Sequence, residues 1–431
     1  MARRKDIRNK VSKRIRTKEA KNSLWTKDYS CITIASALSI IGGEAMNLPI
    51  SLLVFEETKS TLASAIILIC GMLPDIILPI LIAPLIDGGR KKRWIVGLDI
   101  LLAAVYATMA LLIHRFAFRF GMYIAFTLLV GTISVFYRLA YSSWFPDLIP
   151  EGCEQKGYAV SGSLYPTISI LMAPLATFLY EKLSMERIFL LVAGLTLCSV
   201  LVEGLIREKR TLQSQEVYSF SQYMADIKEG LRYIRKEKGI RNIYTYMSIT
   251  SGTGEASVLM TQAFYQTNPL FSVTMLGFLK SAEMIGRMLS SFVWYHKEIP
   301  VKKRYAFTKF SYTFYEIMDM ILLFLPYPFM LVNRFLVGAI GTGSATIRET
   351  AVQSYLEPGI RARVNAFFCV MFALGGIVFH LFAGWLGTVI SYRQGAVLMS
   401  CIALICMLLL IVLPAKENRP VYEAVKTVEE K

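Results

Sequence analysis

The chain has 431 residues, 55% of them hydrophobic and only 18% charged, with a mean hydropathy of +0.48. Soluble domains carry about 25% charge, so the composition excludes an ordinary soluble protein and points to a membrane. The net charge of +16 raises nucleic-acid binding as a reading, which the placement of the basic residues removes below.

Residues 1–28 form a basic arm holding 11 Lys/Arg, expected to rest on anionic lipid. No small-residue cleavage site follows the first apolar run, so no signal peptide is expected. Apolar runs of about 20 residues cross a hydrocarbon core, and they fall near 29–54, 62–86, 94–114, 121–144, 158–180 and 187–206. The polar segment 207–241 follows. In it Phe220, Met224, Ile227, Leu231 and Ile234 line one face of a predicted amphipathic helix, capped by Ser219 or Ser221 and closed by Gly239. That helix is expected on the bilayer surface or against the loops. A second set of runs lies near 242–266, 271–294, 305–325, 328–350, 364–390 and 394–414, before a tail at 415–431. In the ninth and tenth runs Lys309, Glu316, Asp319 and Arg334 interrupt the pattern. The sum is an all-α membrane protein of twelve transmembrane helices, arranged as six-helix bundles over 29–206 and 242–414.

Twelve spans return the chain to the side on which it started. Of the 47 Lys/Arg, 35 lie in segments on that side, 6 lie opposite and 6 lie within spans. This bias is the positive-inside rule and places both termini in the cytoplasm of a plasma-membrane protein. The basic charge is therefore a topology signal, and no nucleic-acid partner is expected. Seven scattered cysteines, histidines at 114, 296 and 380, and the lack of a phosphate-binding Gly-rich loop predict neither a metal nor a nucleotide cofactor.

The halves repeat one another. Gly43-Glu44-Ala45 recurs as Gly254-Glu255-Ala256 at an offset of 211, and Lys91-Lys92-Arg93-Trp94 as Lys302-Lys303-Arg304-Tyr305 at the same offset. Gly131-Thr132-x-Ser134-x-x-x-Arg138 recurs as Gly341-Thr342-x-Ser344-x-x-x-Arg348 at 210, and Leu148-x-Pro150 as Leu356-x-Pro358 at 208. A constant order and a nearly constant offset are the mark of a duplicated unit.

Two such halves, with PLIDGGRKKRW at 84–94 after the second span, resemble the major facilitator superfamily. Asp87 matches the acid of the family's signature loop, and Arg90, Lys91, Lys92 and Arg93 match its basic cluster; Ala83 and Gly88 depart from it. FPDLIPEGCEQKGYAVSGS (145–163), DIKEGLRYIRKEKGIRNI (226–243) and LEPGIRARVNAF (356–367) are similar to the macrolide-efflux and enterobactin-exporter-type branch. Ala173-Pro174-Leu175-Ala176 resembles the antiporter motif of the fifth span only in part, and the mid-helix arginine of drug antiporters is unmatched, since Arg138 lies nearer the cytoplasmic end. The resemblance implies a central cavity lined by the first helix of each half, alternating access, and a latch role for Asp87.

A carboxylate in a membrane helix costs on the order of 3 kcal/mol, so Glu44 and Glu255 demand a role: proton carriers facing the cavity, or neutral acids bonded to a neighbouring helix. Lys280, Glu283 and Arg287 share one stripe of the eighth span, either a cavity wall for an anionic or zwitterionic solute or a self-neutralising ladder. Asp75, among Pro74, Pro79 and Pro84, either serves a kink or binds a proton. Asp87, Arg90, Lys91, Lys92, Arg93, Asp99, Arg138, Arg348 and Glu349 are read as a cytoplasmic gate, alongside the topology role of the basic cluster. Tyr246 is added to the cavity from several tyrosines that otherwise serve as interface anchors. The sequence thus predicts a monomeric secondary transporter, no enzyme, exporting a small organic solute in exchange for protons. An importer or facilitator of a metabolite, and a membrane sensor or scaffold that moves nothing, stay open beside it.

Overall fold

The computed structural model describes residues 23–87, 91–150, 153–207, 220–296, 299–357 and 360–424. Helices begin where polar side chains can satisfy free backbone N–H groups. Thr26 accepts from the Tyr29 amide at 3.3 Å at the head of the first helix. Ser391 and Gln394 form a reciprocal capping box at the head of the last span. Within the spans, threonine hydroxyls donate to the carbonyl one turn back, as Thr33 does to Tyr29 at 2.8 Å and Thr132 to Leu128 at 2.8 Å. In hydrocarbon each polar group must be satisfied internally, and this local bond does so.

The elements are α1 (Lys27–Thr58), α2 (Thr61–Asp87), α3 (Lys91–Arg115), α4 (Phe120–Leu148), α5 (Glu154–Lys182), α6 (Met185–Gly204), α7 (Phe220–Lys236), α8 (Lys238–Thr267), α9 (Val273–His296), α10 (Val301–Ile321), α11 (Tyr327–Tyr355), α12 (Arg361–Val389), α13 (Tyr392–Met407) and α14 (Ala415–Tyr422). Among the described residues there is no strand. Twelve helices reach membrane length when α13 is taken with the π turn Leu408–Val412 that continues it. Eight of them are long and apolar enough to cross a membrane on composition alone, and α2 is apolar over Thr61–Ile76. The remaining three, α8, α9 and α10, are consecutive and carry Glu255, Lys280, Glu283, Arg287, Glu316 and Asp319. Of these, Glu316 and Asp319 are buried and Lys280 and Glu283 partly so, while Glu255 and Arg287 are exposed.

Each half has a core at both ends. In the first half, Tyr106, Phe126 and Phe189 pack at one end and Tyr29, Val135 and Trp144 at the other. In the second half, Tyr246, Tyr312 and Tyr422 occupy one end and Met260, Tyr265 and Met399 the other. The halves meet along two seams, α5 against α9 and α2 against α12. The fifth helix of each half thus packs on the second helix of the other, the two-fold pseudosymmetry that the repeated motifs predict.

The seams are one-sided. Call the end that carries Lys91 and Lys302 the basic end. Thr61 donates to the Gly384 carbonyl at 2.8 Å, Ser51 to Gln262 Oε1 at 3.1 Å and Gln266 to the Leu52 carbonyl at 2.8 Å. Thr274 gives its amide and hydroxyl to Glu181, each at 2.8 Å, and Ser281 donates to the Ile170 carbonyl at 2.5 Å. Among the described residues every hydrogen bond between the halves lies between mid-helix and the end opposite the basic one. Asp75, Arg138, Tyr158, Tyr165, Arg287 and Glu349, nearer the basic end, are exposed. The halves are closed together at one end and splay apart at the other.

The linker differs from its sequence reading. Gly239 does not close the amphipathic helix: only Glu237 separates α7 from α8, and Gly239 lies in the first turn of α8. A Cβ there would sit 2.4 Å from the Glu417 carbonyl oxygen, so the glycine serves the close approach of the tail helix α14. The α7 helix packs on α12, with Ile234 buried. Residues 208–219, including the predicted cap Ser219, lie outside the described residues.

Candidate functional site

The α1 and α9 helices bring Glu44 and Lys280 together across the two halves, with Nζ 2.9 Å from Oε2. The Glu44 side chain is 6% exposed and that of Lys280 is 35% exposed. The sequence reading left Glu44 without a cationic partner; the structure supplies one from the other bundle. Lys280, Glu283 and Arg287 do share a stripe, but the stripe divides its work. Lys280 crosses to the first half, while Glu283 accepts from Arg287 Nε at 3.1 Å and Nη2 at 2.6 Å.

Two glycines allow the rest of the network. A Cβ on Gly286 would lie 2.1 Å from the Phe335 carbonyl oxygen, and one on Gly338 would lie 2.1 Å from that of Glu283. Glycine at both points lets α9 and α11 touch backbone to backbone. Arg334 thereby comes within 3.9 Å of Glu283 while its Nη2 binds Asp319 on α10. The Asn333 side-chain oxygen accepts from Arg334 Nη2 at 2.9 Å, and its amide donates to the Met318 carbonyl at 2.9 Å. Nearby Glu316 accepts from the Thr250 hydroxyl at 2.6 Å. Two arginines and two carboxylates are closed into one chain, with Arg287 exposed at its open end.

Glu255, the sequence twin of Glu44, is exposed on α8 and makes no hydrogen bond or ion pair among the described residues. Tyr246 is buried at the basic end, its ring 4.9 Å from that of Tyr312, and does not face the opening between the halves. Asp75 and Arg138, assigned from sequence to cavity and gate respectively, bind one another between α2 and α4.

The residues read as a gate tie helices within one half. Lys91 donates to the Ser143 carbonyl at 2.6 Å and lies 3.2 Å from Asp147 on α4. Lys92 caps the end of α6, donating to the carbonyls of Gly204 at 2.8 Å and Ile206 at 2.7 Å. Arg93 lines an outer groove with Trp94, Gly97, Leu98 and Leu101. Arg348 binds Glu349 at 3.0 Å and Met247 Sδ at 2.8 Å. Asp99 is buried within the first half. Arg90 and the Asp87 side chain lie outside the described residues. In this form, none of the described gate residues bonds across the halves.

The sequence profile of the Major Facilitator Superfamily matches residues 32–304. The chain belongs to that family. It is a multi-pass membrane transporter and not an enzyme. It is 22% identical over 282 residues to macrolide efflux protein A of Streptococcus pyogenes, across 64% of this chain and 69% of that protein. Its fold is similar to the nucleoside transporter NupG, with a TM-score of 0.68 and 13% identity over 90% of this chain and 99% of that one. A bacterial homologue of the human lysosomal transporter Spinster, solved inward-facing and unoccupied, gives a TM-score of 0.68 at 11% identity, covering 94% and 100%.

Several polar residues of this transporter leave no signal in the sequence pattern. Glu203 lies in the last turn of α6, where an acid near a span end passes for an interface residue. Asp319 and Arg334 registered only as interruptions, although a short hairpin between two spans brings them opposite one another. Gln262 and Gln266 left no signal, because an uncharged amide in a span is unremarkable until its partner across the halves is known.

Proposed function

We propose that this protein exports a small organic solute across the plasma membrane by alternating access, driven by proton entry. The observation that carries the reading is the Glu44–Lys280 pair, an ion pair at mid-helix that joins the two halves where the splayed end meets the closed one. The distant likeness to a macrolide efflux protein supports export and a drug-like or siderophore-like solute.

In this scheme both termini are cytoplasmic, a single chain is the working unit, and 29–206 and 242–414 are the rocking bundles joined by 207–241. The form described is then open to the cytoplasm. A solute entering between the halves offers an acceptor group to Lys280 and competes with Glu44 for it. The freed tie lets the outer seams part. A proton from outside neutralises Glu44, the solute leaves, and the halves return to release the proton inside and restore the pair. Glu255 and Arg287, both exposed, provide opposite charges for a zwitterionic solute.

Proteoliposomes with an imposed pH gradient test the scheme, with a macrolide and a siderophore as probes. Solute moving against the proton flow supports it. Movement with the protons makes the protein an importer, and specific binding without flux makes it a sensor. Glu44→Gln should abolish gradient-driven movement; full-rate transport by that variant down to low pH would remove the proton role.

A further inference from the structure

A second buried acidic pair stands apart from the opening between the halves. Asp99 on α3 and Glu203 on α6 are 2% and 0% exposed. Among the described residues no lysine, arginine or histidine forms an ion pair with either. Of the cations nearest in sequence, Arg93 and Arg207 are exposed, and Lys92 spends its contacts on the Gly204 and Ile206 carbonyls. Ser199, buried one turn before Glu203, sits beside the two acids where α6 packs on α3, and among the described residues it makes no hydrogen bond to either.

The donors around the pair are too few. Tyr137 on α4 donates to Glu203 Oε1 at 3.1 Å. Ser199 has one proton, and at 3.3 Å it already has the Ala35 carbonyl of α1 to satisfy; the Ser39 hydroxyl is also 3.3 Å from it. Asp99 Oδ2 and Glu203 Oε2 are fully buried and accept no hydrogen bond. Besides Tyr137, the titratable groups that feel the pair are Tyr106 on α3 and Tyr141 on α4, both phenols. A carboxylate has no proton of its own to give.

We propose that Asp99 and Glu203 form a proton-binding site within the first bundle, loaded and unloaded during the transport cycle. The proton supplies a donor that the surroundings lack, bound to one of the two carboxyls. Tyr137 is the way in: its ring is part exposed and its hydroxyl bonds Glu203. Ser199, beside the pair, meets α1 at the Ala35 carbonyl and at Ser39, five residues before Glu44, so the pair's proton occupancy bears on the helix that carries the inter-half tie. The site is independent of the Glu44 reading, since no residue of the pair contacts Glu44 or Lys280.

The test uses the full-length protein in lipid and reads protonated carboxyls by their infrared C=O stretch as the medium is taken from acid to alkaline. The wild type should show a carboxyl band that disappears on alkalinisation. The Asp99→Asn/Glu203→Gln double variant should lose that component, and Glu44→Gln should keep it. Tyr137→Phe, which keeps both acids and the fold, should displace the band by removing the bond to Glu203. The proposal falls if the wild-type band is independent of pH, if it survives in the double variant, or if Tyr137→Phe leaves it unmoved. It also falls if Na⁺ at constant pH removes the band, because the occupant is then a metal ion.

Discussion

Replacing Gly277 by alanine should shift the protein away from the form described here. A Cβ at that position would lie 2.3 Å from Thr177 Oγ1, 2.5 Å from the Ala173 carbonyl oxygen and 2.6 Å from Pro174 Cα. Two of these are backbone atoms of α5. The third cannot swing aside freely, because Thr177 Oγ1 bonds the Ala173 carbonyl at 3.1 Å and that of Pro174 at 3.0 Å. Overpacking of this kind costs about 1–3 kcal/mol. The α5 and α9 helices belong to opposite halves, so the cost falls only on forms in which the end opposite the basic one is closed. The population ratio of closed to open at that end should fall by roughly 5- to 150-fold. Spin labels at Glu57 and Leu270, both exposed at that end and on opposite halves, report the separation in a background lacking the seven native cysteines. Gly277→Ala should add a longer-distance population. Gly254→Ala, whose Cβ meets only the Tyr315 hydroxyl at 3.7 Å, is the control and should change nothing. Identical distance distributions for parent and Gly277→Ala would refute the one-sided seam.

Other substitutions test the interior. Arg334→Met leaves Asp319 and Glu283 in the second half without the cation that bridges them, and should destabilise by about 3–5 kcal/mol, read as a lower thermal midpoint in detergent; Asp319→Leu added to it should recover part of the loss, and no recovery would mean that packing rather than charge was broken. Asn418→Ala removes the side chain that donates to the Leu410 and Ile411 carbonyls at 2.7 and 3.1 Å where the π turn frees them, and should cost about 1–3 kcal/mol; an unchanged midpoint would show that the π turn needs no cap. Asp75→Asn breaks a pair whose partners are both exposed, so its effect on stability should stay below about 1 kcal/mol, and a larger drop would mean that the pair is buried in the working form.

The fold was legible because membrane solubility writes itself into long stretches: twelve apolar runs, a charge bias between loops and a repeat of constant offset each draw on many residues. The seams were legible only as symmetry. Nothing in the sequence distinguishes Gly277, which meets another helix, from Gly254, which meets almost nothing. Charged residues were legible one at a time, since each is costly in lipid, but their pairing was not. Sequence position gives Asp75 and Arg138 different tasks, yet they bind one another; it places Lys91 and Lys92 at a gate, yet they hold α4 and α6 within one bundle. Partner choice depends on helix rotation and on which glycines allow close approach, and helical spacing along a single span constrains neither.

The duplication makes this plainest. Glu44 and Glu255 occupy matching places in the repeat, yet one is buried and bound to Lys280 while the other is exposed and, among the described residues, makes no hydrogen bond or ion pair. The repeat therefore does not preserve side-chain partners site by site. Had both acids kept a partner across the halves, two ties would have to break together and a single solute would need to compete with both. In the cycle proposed above, one tie has to break, and the free carboxylate of Glu255 is left as a contact for a cationic group of the solute. The same logic explains why the second half keeps its arginines bound to its own acids: Arg334 is sequestered by Asp319, so Lys280 is the cation left to reach across.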